Sequence, residues 1–158
     1  MSNFVPKKID AVDRLILKAL QEDARIQNND LAKKVGLSPS PCLRRVRLLE
    51  EAGVIQHYLT LLDASKVEAG LTVFVRVWLK GQDEETVSYF VSEVKRLPQV
   101  MECYLMAGDC DFLLRVVADD LDAYRRFQVE SLNRIKGLQS VKSEIPMQTI
   151  KQSWKLPL

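Results

Sequence analysis

Cysteine and histidine are scarce in this chain, and their scarcity narrows the chemistry open to it. Cys42, Cys103 and Cys110 are odd in number and show no CxxC spacing, so neither a disulfide framework nor a zinc site is expected. Cys42 reads as a small core residue, and the other two can be read the same way. His57 is the single histidine. Far in sequence from any cysteine or carboxylate pair, it argues against a metal centre or a catalytic triad. A nucleophile–base pair and a phosphate-binding loop are missing too, so no enzyme, metal or cofactor is expected. No apolar run approaches the roughly 18 residues of a membrane-spanning helix, and the opening MSNFVPKKID is short and polar rather than a signal peptide. These absences point to a cytoplasmic protein with no membrane partner.

Against that background, Asn29 to Gly53, NDLAKKVGLSPSPCLRRVRLLEEAG, stands out. Leu31, Ala32 and Val35 give a short helix a narrow apolar stripe, and Gly36 can take the left-handed conformation that ends it. Ser38 is a good N-cap for a second helix, Pro39 fits the first helical position, and Pro41 is still tolerated in the first turn. That helix is expected from about Pro39 to Ala52. At helical spacing Cys42, Val46 and Leu49 share one side, and Ser40, Arg44 and Arg47 share the opposite one. The first set docks; the second is free to meet DNA. The major groove admits a helix, arginine can pair bidentately with guanine, and serine reaches base edges or phosphate. Arg45 lies nearer the buried side and is expected to snorkel to phosphate. The DNA-contacting set is thus Ser38, Ser40, Pro41, Arg44, Arg45 and Arg47. The competing reading is a solvated basic face on an ordinary helical hairpin.

Upstream, Asp10 and Asp13 resemble a capping arrangement, and Ile9, Val12, Ile16, Ala19 and Leu20 make the stripe of a first helix ending near Glu22. Downstream, Val54 to Leu62 is rich in β-formers and reads as a short β-segment or wing. Net charge is only +2. Residues 1–63 hold ten Lys/Arg against eight Asp/Glu, and residues 64–158 hold thirteen against thirteen, so the excess sits in the DNA-reading part. With so little charge per copy, useful affinity calls for several copies on one DNA. Oligomerisation is expected.

The second part changes pattern. Leu71–Lys80 reads as a strand, Glu84–Leu97 as a helix, Val100–Ala107 and Phe112–Ala118 as strands, Leu121–Ile135 as a helix and Val141–Thr149 as a last strand. FVRV at 74–77 and LLRV at 113–116 form a weak repeat of offset 39, each copy a β-α-β unit. The fold class is therefore α+β: an N-terminal winged-type helix-turn-helix domain over 1–62, then a C-terminal ferredoxin-like βαββαβ sandwich over 63–158. Val73, Val75, Val77 and Leu79 alternate with Thr72, Phe74, Arg76 and Trp78, so neither strand face is purely polar. Such a sheet packs helices on one side and another subunit on the other; core strands of a monomer are the alternative.

Met106-Ala107-Gly108-Asp109-Cys110-Asp111 separates the second and third strands. Glycine lets backbone N–H groups approach a ligand, and a carboxylate pairs with an ammonium, which suits an amino-acid effector. A plain hairpin turn explains the same residues.

The order helix-turn-helix, β-linker, βαββαβ resembles the Lrp/AsnC (feast/famine) family of bacterial and archaeal transcription regulators, continuously from Ile9 to about Trp154. The resemblance is carried by DRLILKALQEDAR at 13–25, LAKKVGLSPSPCLRRVRLLEEAGVI at 31–55 and MAGDCDFLLRV at 106–116. SPSPCLRRVRLLE is similar to the leucine-responsive branch rather than the asparagine-responsive one. The resemblance implies a homodimer formed through the sandwich, assembled further into an octamer, with double-stranded DNA bent or wrapped around it and a small amino acid bound between dimers. It places the effector loop on Leu105, Met106, Ala107, Gly108, Asp109 and Asp111, with a second contact near Asn133 of a neighbouring subunit. Related proteins carry a hydroxyl or aromatic residue just before the glycine; Met106-Ala107 here makes the pocket more apolar and favours leucine or methionine. The expected function is a nucleoid-associated transcription regulator responsive to such an effector. Two other readings are an architectural DNA-wrapping protein without an effector and an enzyme or metabolite-binding module on the same sandwich.

Overall fold

The first described element is set by two aspartates. In the computed structural model, which describes residues 9–158, the Asp10 carboxylate accepts the Asp13 backbone N–H at 2.8 Å, and the Asp13 carboxylate accepts the Asp10 N–H at 3.4 Å. This reciprocal capping box opens helix α1 (Ala11–Glu22). The N-terminal stretch read above for a leader falls mostly outside the described residues. Helix α2 (Asn28–Lys34) ends at Gly36, whose φ is 71°. The Leu37 N–H returns to the Ala32 carbonyl and that of Gly36 to Lys33, a closure that needs the left-handed residue a glycine supplies at least cost. Helix α3 (Pro39–Glu51) follows at once and ends on Gly53 by the same closure. Ile16, Leu17, Leu31, Val35, Cys42 and Leu49 meet in the core of these three helices.

Val54 to Leu62 corrects the reading. These residues form no strand among the described residues, and Tyr58, Leu59, Leu61 and Leu62 are exposed. β-forming side chains do not make a strand without a neighbour to take their backbone N–H and C=O groups.

The second part is a four-stranded antiparallel sheet of β1 (Leu71–Leu79), β2 (Val100–Leu105), β3 (Phe112–Ala118) and β4 (Leu138–Glu144), in the order β2-β3-β1-β4. Helix α4 (Glu84–Val94) follows β1 and α5 (Leu121–Glu130) follows β3. This is the ferredoxin-like arrangement. Each helix starts on an aspartate whose side chain accepts a backbone N–H three residues on, Asp83 for α4 and Asp120 for α5. Val73, Val75 and Val77 from β1, Leu114 and Val116 from β3 and Phe90 from α4 are inaccessible to solvent. Phe90 also packs on Phe112, with ring centroids 4.6 Å apart. The opposite sheet face, with Phe74, Arg76, Trp78, Leu113, Arg115 and Val117, is only half-buried.

Three boundaries differ from expectation. β4 covers 138–144 rather than 141–149. Gly137, at a φ of 87°, turns the chain so that its carbonyl takes the Lys80 N–H and pairing with β1 begins early, and Pro146 has no N–H to continue a ladder. The second long helix stops at Glu130, and a 3₁₀ turn, Leu132–Arg134, replaces its last turn. The compact units also divide differently: the first ends at Leu61 but takes in Lys151–Leu158, and the second is Leu62–Ile150. The last eight residues thus belong with the helix-turn-helix rather than with the sandwich. Cys42 is wholly buried and Cys110 nearly so, whereas Cys103 on edge strand β2 is exposed and is not a core residue. No helix among the described residues is long and apolar enough to cross a membrane.

Candidate DNA interface and effector loop

Helix α3 has one buried face and one open face. Cys42 and Leu49 are fully buried and Val46 partly so, while Ser38, Ser40, Pro41, Arg44 and Arg47 are exposed. Asn28 at the start of α2 donates from Nδ2 to the Pro39 carbonyl at 2.8 Å, so the two helices of the motif are tied at the first turn of α3. Ser38 has N-cap backbone geometry, but its hydroxyl makes no cap bond. The capping bond expected of it is therefore not made, and its hydroxyl stays on the exposed side with the other expected DNA-contacting residues.

Arg45 requires a correction. Its Nη1 donates to Asp10 Oδ2 at 2.7 Å and to Asp13 Oδ1 at 2.8 Å. Asp13 is only 1% exposed, and a buried carboxylate keeps its charge only beside a partner of opposite sign. The guanidinium is therefore committed inside the domain, where it fastens α3 to the start of α1, rather than held out to phosphate. Arg44 and Arg47 have no such engagement among the described residues.

The loop between β2 and β3 is exposed at Leu105, Met106, Ala107, Gly108 and Asp109 and is held from β1. The Met106 N–H bonds the Asp111 carbonyl and the Asp111 N–H bonds the Val77 carbonyl, both at 2.9 Å. Asp111 uses both carboxylate oxygens within the chain, accepting the Leu79 N–H and the Gln82 side-chain amide at 2.7 Å each. It fastens the loop to the end of β1 and the residues that follow. Asp109 is different: its carbonyl accepts the Trp78 indole N–H at 2.6 Å, which leaves a carboxylate 81% exposed with Arg76 Nη1 at 3.8 Å. A Cβ built on Gly108 would meet nothing within 4 Å, so this chain's own packing does not demand a glycine there. Asn133 lies exposed in the 3₁₀ turn before β4.

Trp78 and Gln82, which set the loop, went unnoticed in the sequence. Trp78 was legible only as an outward residue of its strand, and Gln82 gave no signal. On the open face, Arg115 pairs with Glu102 at 2.7 Å and Arg76 with Glu144 at 3.2 Å. The bond from Arg115 is the main reason the Glu102 carboxyl sits below its usual range.

Known proteins share both halves. The family described as winged helix-turn-helix DNA-binding matches residues 9–56, and that described as Lrp/AsnC ligand binding domain matches residues 72–156. Over 150 residues the chain is 43% identical to the leucine-responsive regulatory protein of Klebsiella pneumoniae and 42% identical to that of Escherichia coli K12, covering 95% of this chain and 92% of each relative. Two solved structures superpose with a TM-score of 0.89: an AsnC family transcriptional regulator from Agrobacterium tumefaciens at 43% identity, and a transcriptional regulator from Neisseria meningitidis in complex with L-Met at 36%. Each covers 94% of this chain and 96% of the other.

Proposed function

Since the chain belongs to the Lrp/AsnC family of effector-responsive, DNA-binding transcription regulators, we propose how its own residues divide that work. The observation that carries the proposal is the open face of α3, where Arg44 and Arg47 stand uncommitted while Arg45 between them is pinned behind. Ser40, Arg44 and Arg47 enter the major groove to read base edges, and Ser38 and Pro41 in the first turn lie against the phosphate backbone. Arg45 contributes by orienting the helix.

The amino-acid effector sits on Leu105, Met106, Ala107 and Gly108, with its ammonium on Asp109, while Asp111 holds the loop in place and Asn133 of a neighbouring subunit closes the site. The apolar Met106-Ala107 pair favours leucine or methionine, and the L-Met complex of the Neisseria relative supports that chemistry. The half-buried sheet face forms the homodimer, and dimers assemble further, up to an octamer. Effector bound between dimers then biases the assembly or the tilt of its helix-turn-helix pairs, and so changes which spaced half-sites are engaged together. The protein works in the cytoplasm on the nucleoid and carries no enzymatic activity.

Mobility shifts on the DNA upstream of its own gene, with each of the twenty amino acids, test the reading. A specific shift altered by leucine or methionine is expected. A shift indifferent to all twenty would favour an architectural protein, and tighter response to asparagine or lysine would overturn the apolar preference. The two aspartates should separate in the same assay. Asp109→Asn is expected to abolish the response while leaving melting and DNA affinity unchanged. Asp111→Ala strands the Leu79 N–H and should cost about 1–3 kcal/mol of stability in the second unit, measured by denaturant unfolding.

A further inference from the structure

The last eight residues lie outside the sets assigned above to DNA and to the effector, and they are grouped with the helix-turn-helix unit. Gln21 on α1 bonds Leu156 from both ends of its amide: Oε1 accepts the Leu156 N–H at 2.6 Å, and Nε2 donates to the Leu156 carbonyl at 3.2 Å. An amide side chain has one donor and one acceptor edge, so it holds a single residue's backbone as a neighbouring strand would. Leu158 packs against the core of the three helices. Trp154 and Leu156 line an apolar cleft together with Leu17, Leu20 and Leu59. The Glu22 carboxyl is held below its usual range chiefly by the bond from Lys34, with Lys155 of the tail adding to the effect. Side-chain bonds, apolar contact and charge thus converge on one docked segment.

Chain connectivity gives the docking its consequence. The chain leaves the helix-turn-helix unit at Leu61 and returns to it at Lys151, so that unit is linked to Leu62–Ile150 at two points rather than one. We propose that Lys151–Leu158 is a strap, docked through Gln21, that serves as a second tether on each DNA-binding unit and raises the affinity of the assembled protein for DNA carrying two half-sites. A unit on one flexible link samples more volume than a unit on two. Once the first unit is bound, the effective concentration of the second at its half-site falls as that volume grows.

The inference rests on the DNA-reading assignment of α3, and the test separates the two. A duplex is selected from random sequence by the full chain, and binding is measured to it and to a copy with one half-site scrambled. Deleting Lys151–Leu158 is expected to weaken binding to the two-site duplex about tenfold and to leave the one-site duplex unchanged. Gln21→Ala should weaken two-site binding in the same direction, less strongly, and remove the hydrogen-exchange protection of the Leu156 amide. Equal losses on both duplexes would mean that the tail only stabilises the fold, and no loss on either would mean that it does nothing for DNA; both overturn the strap. If the shortened chain does not fold, Gln21→Ala decides: lost protection at Leu156 with unchanged two-site affinity overturns it. Failure of the full chain to select any DNA would overturn the reading of α3, and the strap with it.

Discussion

Arg45→Ala is expected to destabilise the helix-turn-helix unit by about 3 kcal/mol, because it removes a guanidinium from beside a buried carboxylate. Asp13 is 1% exposed and receives Arg45 at 2.8 Å, so water has little access to take the place of the guanidinium. For a unit of this size the loss is on the order of 15 °C in melting temperature, readable by calorimetry or by hydrogen exchange of the α1 amides. Arg45→Lys should recover only part of it, since an ammonium cannot present the guanidinium's planar fork of donors to Asp10 and Asp13 together. The same network sets the response to acid. The Asp10 carboxyl is held below its ordinary range, first by the Asp13 backbone N–H and then by Arg45. A carboxyl lowered on folding contributes stability that is present above its unfolded pKa and is lost as pH falls through the folded one. The native protein should weaken across that acidic window, and the Arg45→Ala protein should lose less there. Unchanged melting in Arg45→Ala would mean that the ion pairs are ornamental.

Arg44 and Arg47 should behave in the opposite way. Removing both is expected to leave melting within about 0.5 kcal/mol of the native value, as for exposed side chains without partners, and to cost roughly 2–6 kcal/mol in binding to a specific site, at about 1–3 kcal/mol for each arginine that pairs with a base. Titrations against salt separate the two possible contacts. If an arginine meets only phosphate, its loss weakens all sequences alike and lowers the slope of log K against log salt by about one. If it meets guanine, discrimination between sites collapses as well. Specific binding unaffected by the double change would remove α3 from the groove. Arg45 falling in stability and Arg44 and Arg47 falling in affinity, from one run of four residues, would be direct evidence that α3 has a fixed face.

That contrast marks where the sequence was legible and where it stopped. Helical spacing identified the buried row Cys42, Val46, Leu49 and the exposed row Ser40, Arg44, Arg47, because both follow from the 100° step alone. Gly36 could be read as a helix end because a left-handed closure leaves few other choices. The partner of Arg45 could not be read: spacing within one helix says nothing of a carboxylate 32 residues away. The bonds that Asp111 accepts from Leu79 and Gln82 were out of reach for the same reason, since both donors come from another part of the chain. Val54 to Leu62 has β-forming composition, but a strand belongs to a pair and the chain alone offers it no neighbour. The last strand starts and stops earlier than its expected 141–149, because the turn at Gly137 begins the pairing and Pro146 lacks the N–H to continue it. The tail was assigned to the sandwich by continuity along the chain; only the bonds between Gln21 and Leu156 move it.

The β2–β3 loop is bonded within its own chain at Met106, Asp109 and Asp111. Those bonds order the loop on folding, so an effector seated there, as proposed, would have little backbone left to freeze. Selectivity among such molecules then comes from side-chain fit, where one methylene is worth about 1–3 kcal/mol. A protein built this way grades related metabolites rather than accepting one and refusing the rest: close homologues of the best ligand should act at concentrations about ten to a hundred times higher. The transcriptional signal would then follow the composition of a metabolite pool rather than the presence of a single compound.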